Sequence, residues 1–454
     1  MTDGTRGPEG LRREVGVGSA ALLVVGGIIG SGIFFTPAEV ARALPNASWI
    51  LGVWALGGLL AFAGALTYAE LGAMLPDAGG PYVYIKRAFG ALPAFLYVWM
   101  VVLSVASGAI AAVALGFAGY LERFVPLDWV GGELVVAAVT IAALTATNVV
   151  GLRPGISLQN VLTSVKIVAL ATLVLGGLVA WVGLPPPAAV PNAPPPAESL
   201  VTGFSSAFVA VLFTIGGWQQ MNMVAGEIRD PRRNIPRALL LGILVVVAIY
   251  LGANAVYLRT LGRDGLAASH AVAADAMQRL VGPVGATFIT LSAMLSILGF
   301  VNVAILSNSR LPYALARDSD LLRAAGVIHP RFKTPHVAIL LLGTWSIVLL
   351  VGSQGRIGDL LSGVVFADWI FFGLGAASVF VLRRRLPELP RPYRVLGYPV
   401  LPAMFVFAAV AGVASAFIAA PRMSLLGCGL LLVGALVYRL GGNRVTDGAP
   451  GPSA

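Results

Sequence analysis

Two glycine-bearing stretches and two isolated ionisable residues carry most of the chemistry this chain can offer. The first stretch, Gly26-Gly27-Ile28-Ile29-Gly30-Ser31-Gly32-Ile33-Phe34, lies inside a long apolar segment at 15–43. Glycine destabilises a helix more than any residue except proline, so the helix is expected to open around Gly30-Ser31-Gly32. At membrane depth, freed backbone groups are tolerated only where protein, water or a ligand supplies partners. The N–H groups starting the second half-helix form a positive dipole end suited to a carboxylate. The second stretch is Phe213-Thr214-Ile215-Gly216-Gly217-Trp218. Two glycines after a β-branched pair continue a helix poorly. If the helix stops near Thr214, its last carbonyls suit an ammonium group or a cation. The competing reading of Gly26-x-x-x-Gly30 is a helix-packing motif with no ligand.

Lys166 falls well inside an apolar run, Leu162-Thr163-Ser164-Val165-Lys166-Ile167-Val168-Ala169-Leu170. A lysine at that depth costs several kcal/mol unless paired or hydrated, which makes it a functional candidate; snorkelling to the cytoplasmic edge is the alternative. Asp368, in Val365-Phe366-Ala367-Asp368-Trp369, is a candidate proton site or gate contact, against a plain hydrogen bond to nearby backbone or hydroxyls. Glu70 reads as an anchor for cytoplasmic loops. Glu227 with Arg229-Asp230 reads as a structural turn, and Trp218 as a pocket wall or a packing residue.

The elements that must position these groups are membrane helices. The chain has 454 residues, 58% of them hydrophobic and 11% charged, and a mean hydropathy of +0.88. That composition is of a polytopic, all-α membrane protein. Twelve spans are expected, near 15–43, 49–74, 93–119, 129–149, 157–183, 201–227, 236–260, 283–309, 335–352, 358–382, 399–419 and 423–440. The first apolar run is too long for a signal-peptide core and reads as a span. Most of the 30 Lys and Arg residues fall at the two ends or in loops after even-numbered spans, among them Lys86, Arg87, Arg153, Arg229, Arg310 and Arg383. The positive-inside rule then puts both termini in the cytoplasm, and the net charge of +10 is topological.

Residues 76–92 suit a short helix at the cytoplasmic interface. Residues 184–200, rich in proline, suit an extended external linker. Span six follows span one by five, and five is odd, so a second copy of a five-span unit enters the membrane inverted. Paired interrupted helices at matching positions of inverted halves mark the midplane site of one transporter class. The expected division is a cytoplasmic tail at 1–14, a first five-helix repeat at 15–183, the linker at 184–200, a second repeat at 201–384, two further helices at 385–440, and a disordered cytoplasmic tail at 441–454.

With both breaks in view, the chain resembles the amino acid–polyamine–organocation superfamily, and within it the L-type amino acid transporter family and its bacterial relatives. The matching pieces run nearly end to end: Gly27 to Phe34, Tyr68-Ala69-Glu70-Leu71-Gly72, Gly79-Gly80-Pro81-Tyr82, Phe213 to Trp218, Gly226-Glu227-Ile228-Arg229-Asp230-Pro231, Asn234-Ile235-Pro236-Arg237, Ser309-Arg310-Leu311, Ala316-Arg317-Asp318 and Leu389-Pro390-Arg391-Pro392-Tyr393. The resemblance implies a LeuT-type fold of 5+5 inverted repeats plus two helices. It implies that amides around Gly30, Ser31 and Gly32 meet a substrate carboxylate, and that carbonyls near Ile28, Phe213 and Gly216 meet its ammonium. It implies Phe213 as an outer lid. Lys166 then occupies the place where relatives bind sodium, so transport is expected not to need that ion.

Other function classes lack their motifs. No His-Glu-x-x-His, Gly-x-Ser-x-Gly, Walker loop or filter repeat occurs. His270, His329 and His336 are scattered and Cys428 is alone, so no metal site, cofactor or disulfide is expected. The expected partners are a small amino acid and the lipid bilayer, with no nucleic acid and no evident partner subunit. The expected function is a secondary amino acid permease working by alternating access, as exchanger or uniporter, in the plasma membrane of a bacterial cell. No acidic residue stands at either break, and Thr214 and Ile215 suggest a neutral substrate. The second reading is a proton-coupled carrier of cationic amino acids or polyamines.

Overall fold

The computed structural model describes residues 11–440 except 123, 130, 188, 189, 192 and 354–357, and leaves aside the side chains of 320, 321, 358–365 and 419. The expected disordered tail after 440 lies outside these residues. Eighteen α-helices follow one another without a named strand among the described residues. They begin α1 (Val17–Ile28), α2 (Gly32–Ala43), α3 (Ala47–Met74), α4 (Pro81–Phe89), α5 (Ala91–Met100) and α6 (Ala106–Leu121). Next come α7 (Gly132–Val150), α8 (Leu152–Ala180), α9 (Leu200–Ile215), α10 (Gln220–Met223), α11 (Pro231–Ala268) and α12 (Val272–Val281). The last are α13 (Pro283–Asn308), α14 (Arg310–Asp318), α15 (His336–Gly352), α16 (Gly358–Arg385), α17 (Val400–Ala419) and α18 (Pro421–Leu440).

Among the described residues, ten helical stretches are long and apolar enough to cross a membrane; α9 and α15 are shorter apolar helices. The chain is therefore a multi-pass membrane protein. The boundaries follow sequence signals. Asn46 caps α3 by accepting from the Trp49 amide. Prolines open α4, α11 and α13 at positions that need no intrahelical donor.

The helices pack in two groups. In one, α3 lies along α11, α11 along α1 and α2, and α9 against α2 and α3. In the other, α6, α7, α13 and α15 pack on one another. Helix α8 touches both through α1 and α13, and α16 packs on α17. Two connections differ from expectation. Helix α4 is packed into the protein, with Tyr82, Tyr84, Ile85 and Ala88 buried, because Tyr82 donates to Asp318 (2.8 Å) and Lys86 pairs with the same carboxylate (2.9 Å). The expected span at 236–260 extends to Ala268 with a non-helical Gly262, and α12 follows as an extra amphipathic helix burying Val272, Ala273, Ala276 and Met277. The described residues of the proline-rich linker form no helix until Leu200 opens α9. Arginines from the following helices hold the linker's carbonyls: Arg259 those of Trp181, Leu184 and Pro185, Arg263 that of Pro194, Arg279 that of Pro186.

Candidate functional site

The first helix opens where its glycines cluster. Ile29 still donates to Val25 (2.8 Å), Gly30 turns back to donate to the Ile28 carbonyl (2.9 Å), and the helix restarts at Gly32. The amides of Ser31, Gly32 and Ile33 open α2 and so have no partner within it. The carbonyls on the other side of the break are held from the scaffold. Lys166 Nζ donates to the Ile29 oxygen (2.5 Å) and to the Ser296 oxygen (3.1 Å). Ser296 Oγ donates toward the oxygens of Gly30 (3.0 Å) and Ile29 (3.3 Å). Lys166 is wholly buried, and no carboxylate pairs with it among the described residues, so its charge is satisfied by carbonyl dipoles. The snorkelling alternative does not hold. The packing reading does hold one turn earlier, where a Cβ on Gly26 would lie 2.0 Å from Gln159 Nε2 of α8.

The second helix stops at Ile215, one residue beyond the expected Thr214. Gly216 is extended, and Gly217 takes φ +98, open to glycine at no steric cost. Its amide donates to Gln219 Oε1 (3.0 Å) within the same turn. Gly217 also explains why both breaks carry glycine. A Cβ there would sit 2.1 Å from the Gly27 oxygen, and a Cβ on Gly27 would sit 2.9 Å from the Gly217 oxygen. The two discontinuities touch backbone to backbone. Tyr250 of α11 bridges them, its hydroxyl 3.2 Å from the Ile28 oxygen and 3.3 Å from that of Thr214.

Around this contact the chain encloses a cavity of about 80 Å³, room for several water-sized groups at roughly 10–15 Å³ each. Its wall includes Ile28, Gly30, Ser31, Gly32, Phe213, Thr214, Gly216 and Asp368, eight of the residues singled out from sequence. Lys166 is absent from the wall and acts from behind the break. Thr214 faces the cavity, yet its hydroxyl already donates to the Ala210 carbonyl (2.9 Å) and meets Thr36 Oγ1 (2.7 Å), tying α9 to α2. Tyr97, Gln219, Gln220, Asn308, Trp369 and Phe372 complete much of the polar and aromatic wall.

The remaining candidates separate cleanly. Glu70, with no exposure, accepts from Arg383 (2.8 and 2.6 Å) and from the Val395 amide (2.7 Å), so it anchors the segment leading to α17. Trp218 packs rather than lines the cavity: Tyr68 meets its ring at 4.9 Å, Phe405 at 5.7 Å and Phe372 at 6.1 Å. Glu227 forms a buried two-pronged ion pair with Arg310 (3.0 and 2.9 Å). From sequence, Arg310 is one loop cation among many. Ser296, Tyr250 and Gln219 were also not singled out. Each acts on a carbonyl or amide freed by a break, and that depends on which helices face the break.

The chain matches the family model described as amino acid permease over residues 15–427. It is 34% identical over 441 residues to the human large neutral amino acids transporter small subunit 2, covering 95% of this chain and 81% of that protein. It is 31% identical over 431 residues to the human b(0,+)-type amino acid transporter 1, covering 94% and 87%. It is 29% identical to the cystine/glutamate transporter of Pongo abelii, covering 95% and 85%. Two breaks joined at one cavity and these end-to-end matches lead to one conclusion: the chain belongs to the amino acid permease family.

Proposed function

We propose that the joined breaks form the head-group site of an α-amino acid carrier. The substrate carboxylate takes the amides of Ser31 and Gly32 at the start of α2, and its ammonium takes the carbonyls near Ile28, Phe213 and Gly216. The observation that carries this reading is the backbone contact between Gly27 and Gly217, which puts a positive and a negative helix end on one cavity. The relatives are named for large neutral amino acids, cystine and glutamate. What those molecules share is the α-amino acid head.

The grouping of helices supports a twelve-crossing, 5+5 inverted arrangement. Spans one, two, six and seven pack together, as do three, four, eight and nine, and each group maps onto itself under a shift of five. In this reading the first group rocks against the second, Phe213 closes the outer side, both termini are cytoplasmic, and the membrane is the plasma membrane. Lys166 holds the Ile29 carbonyl where a cation would otherwise be needed, so the carrier runs without sodium as an exchanger or uniporter. The walls beyond the head group are mostly apolar, which suits the aliphatic part of a neutral or cationic side chain, and among the described residues there they carry one carboxylate, Asp368.

The test is counterflow in proteoliposomes with a panel of labelled amino acids, with and without sodium and a pH gradient. The expected result is saturable exchange of α-amino acids, unchanged on replacing sodium by choline. Loss of uptake in choline would overturn the role given to Lys166. Equal uptake of amines or acids lacking the complete head would overturn the site.

A further inference from the structure

Asp368 answers a question the breaks leave open, which is what the rest of the cavity wall recognises. Among the described residues on that wall it is the one carboxylate, and no lysine, arginine or histidine faces it there. It is half-buried and forms no hydrogen bond or ion pair with the described residues. The wall it shares includes Tyr97, Val101, Val105, Trp369 and Phe372, and its helix, α16, packs on the segment 101–105. A carboxylate at membrane depth is costly without an opposite charge, and this wall supplies none. The positive end of α2 lines the same cavity, but in the reading above the substrate carboxylate takes it.

We propose that Asp368 selects substrates carrying a cation on the side chain, such as lysine, ornithine or arginine, over uncharged isosteres. The proposal rests on the head-group reading above. With the head held between Gly30-Ser31-Gly32 and the end of α9, the side chain projects toward α16 and the segment from α5 to α6. A lysine stem packs its methylenes on Val101 and Val105 and carries its ammonium to the carboxylate. Trp369 and Phe372 add ring faces to the same wall, which attract a desolvated cation. An uncharged side chain of equal length fills the same space and leaves Asp368 unpaired, so the discrimination comes from an unsatisfied charge rather than from size.

Lysine and norleucine make the test, since they differ only at the terminal ammonium. Initial uptake of both is measured in proteoliposomes for wild type, Asp368→Asn and Asp368→Glu. Wild type is expected to favour lysine. Asp368→Asn is expected to lose lysine uptake by about 30-fold or more while norleucine changes by less than about threefold. Asp368→Glu is expected to keep the lysine preference. Norleucine uptake by the Asn variant doubles as the check that it is folded. Equal losses for both substrates in the Asn variant, as a proton-carrying Asp368 gives, would overturn the proposal. So would a wild type that moves norleucine but not lysine, and in that case the head-group reading survives. A wild type that moves no α-amino acid at all removes the head-group reading and this inference together.

Discussion

The two breaks do the same job by different means. The first is held from outside: its freed carbonyls are taken by Lys166 of α8 and Ser296 of α13, side chains of neighbouring helices. The second is held mainly from within: Gly217 turns with φ +98 and its amide is taken by Gln219, two residues on, and the one outside side chain on its carbonyls, Tyr250 of α11, is shared with the first break. One break thus depends on a buried charge and on the scaffold keeping its distance. The other depends on backbone conformation and on contact with Gly27. A cation-dependent restraint on one helix only lets the first half-helix respond to movement of α8 and α13, while the second carries its own geometry with it.

Substitutions separate these means, beginning with the largest effect. Gly217→Ala puts a Cβ 2.1 Å from the Gly27 oxygen at a left-handed φ, a combined cost of about 2–5 kcal/mol. Size-exclusion profiles and uptake should both collapse. An alanine variant that stays monodisperse and active would show that the breaks need not touch. Lys166→Ala removes a charged donor worth about 1.5–3 kcal/mol, so counterflow should fall roughly 10- to 100-fold. Wild-type rates in that variant would dissolve the distinction drawn between the breaks. Gln219→Ala removes one neutral hydrogen bond, about 0.5–1.5 kcal/mol, and should slow uptake by about two- to tenfold. A loss as deep as that of Lys166→Ala would make the second break as dependent on side chains as the first.

The smallest effect lies beside the second break. Gly79 of the loop at 75–80 donates to the Met223 carbonyl of α10 (2.8 Å). Burial pushes the Asp77 carboxyl of that loop above its usual range, against the pull of Arg87, Arg317 and Arg13. A raised native value means that the folded chain holds this proton over a range where the unfolded chain has released it. Stability from this group is therefore full in acid and is lost as pH rises through the folded value. Asp77→Asn should raise the melting temperature slightly at pH 7.5, and the gain should vanish below about pH 4, near the unfolded carboxyl value. A lower melting temperature at pH 7.5 would mean that the surrounding arginines outweigh burial.

Much of this was legible in the sequence because backbone chemistry is local. Glycine clusters flag Gly30 and Gly217 as places where a helix ends, and a lysine amid Leu162 to Leu170 flags itself by cost. The partners of those groups were not legible. Ser296 lies 130 residues from Lys166, and Tyr250 and Arg310 look ordinary until the helices that face them are known. Asp368 stood out by its burden in an apolar run, but only the fold brings it to the same cavity as the breaks. The inward packing of α4 was missed because its aromatics suit a membrane interface and a protein interior equally.

The most direct test is a structure with an amino acid bound. The account predicts the substrate carboxylate at about 2.7–3.2 Å from the Ser31 and Gly32 amides, with the ammonium on carbonyls at the ends of α1 and α9. Density for the amino acid away from Gly30-Ser31-Gly32, or a continuous helix through residues 26–34, would contradict it.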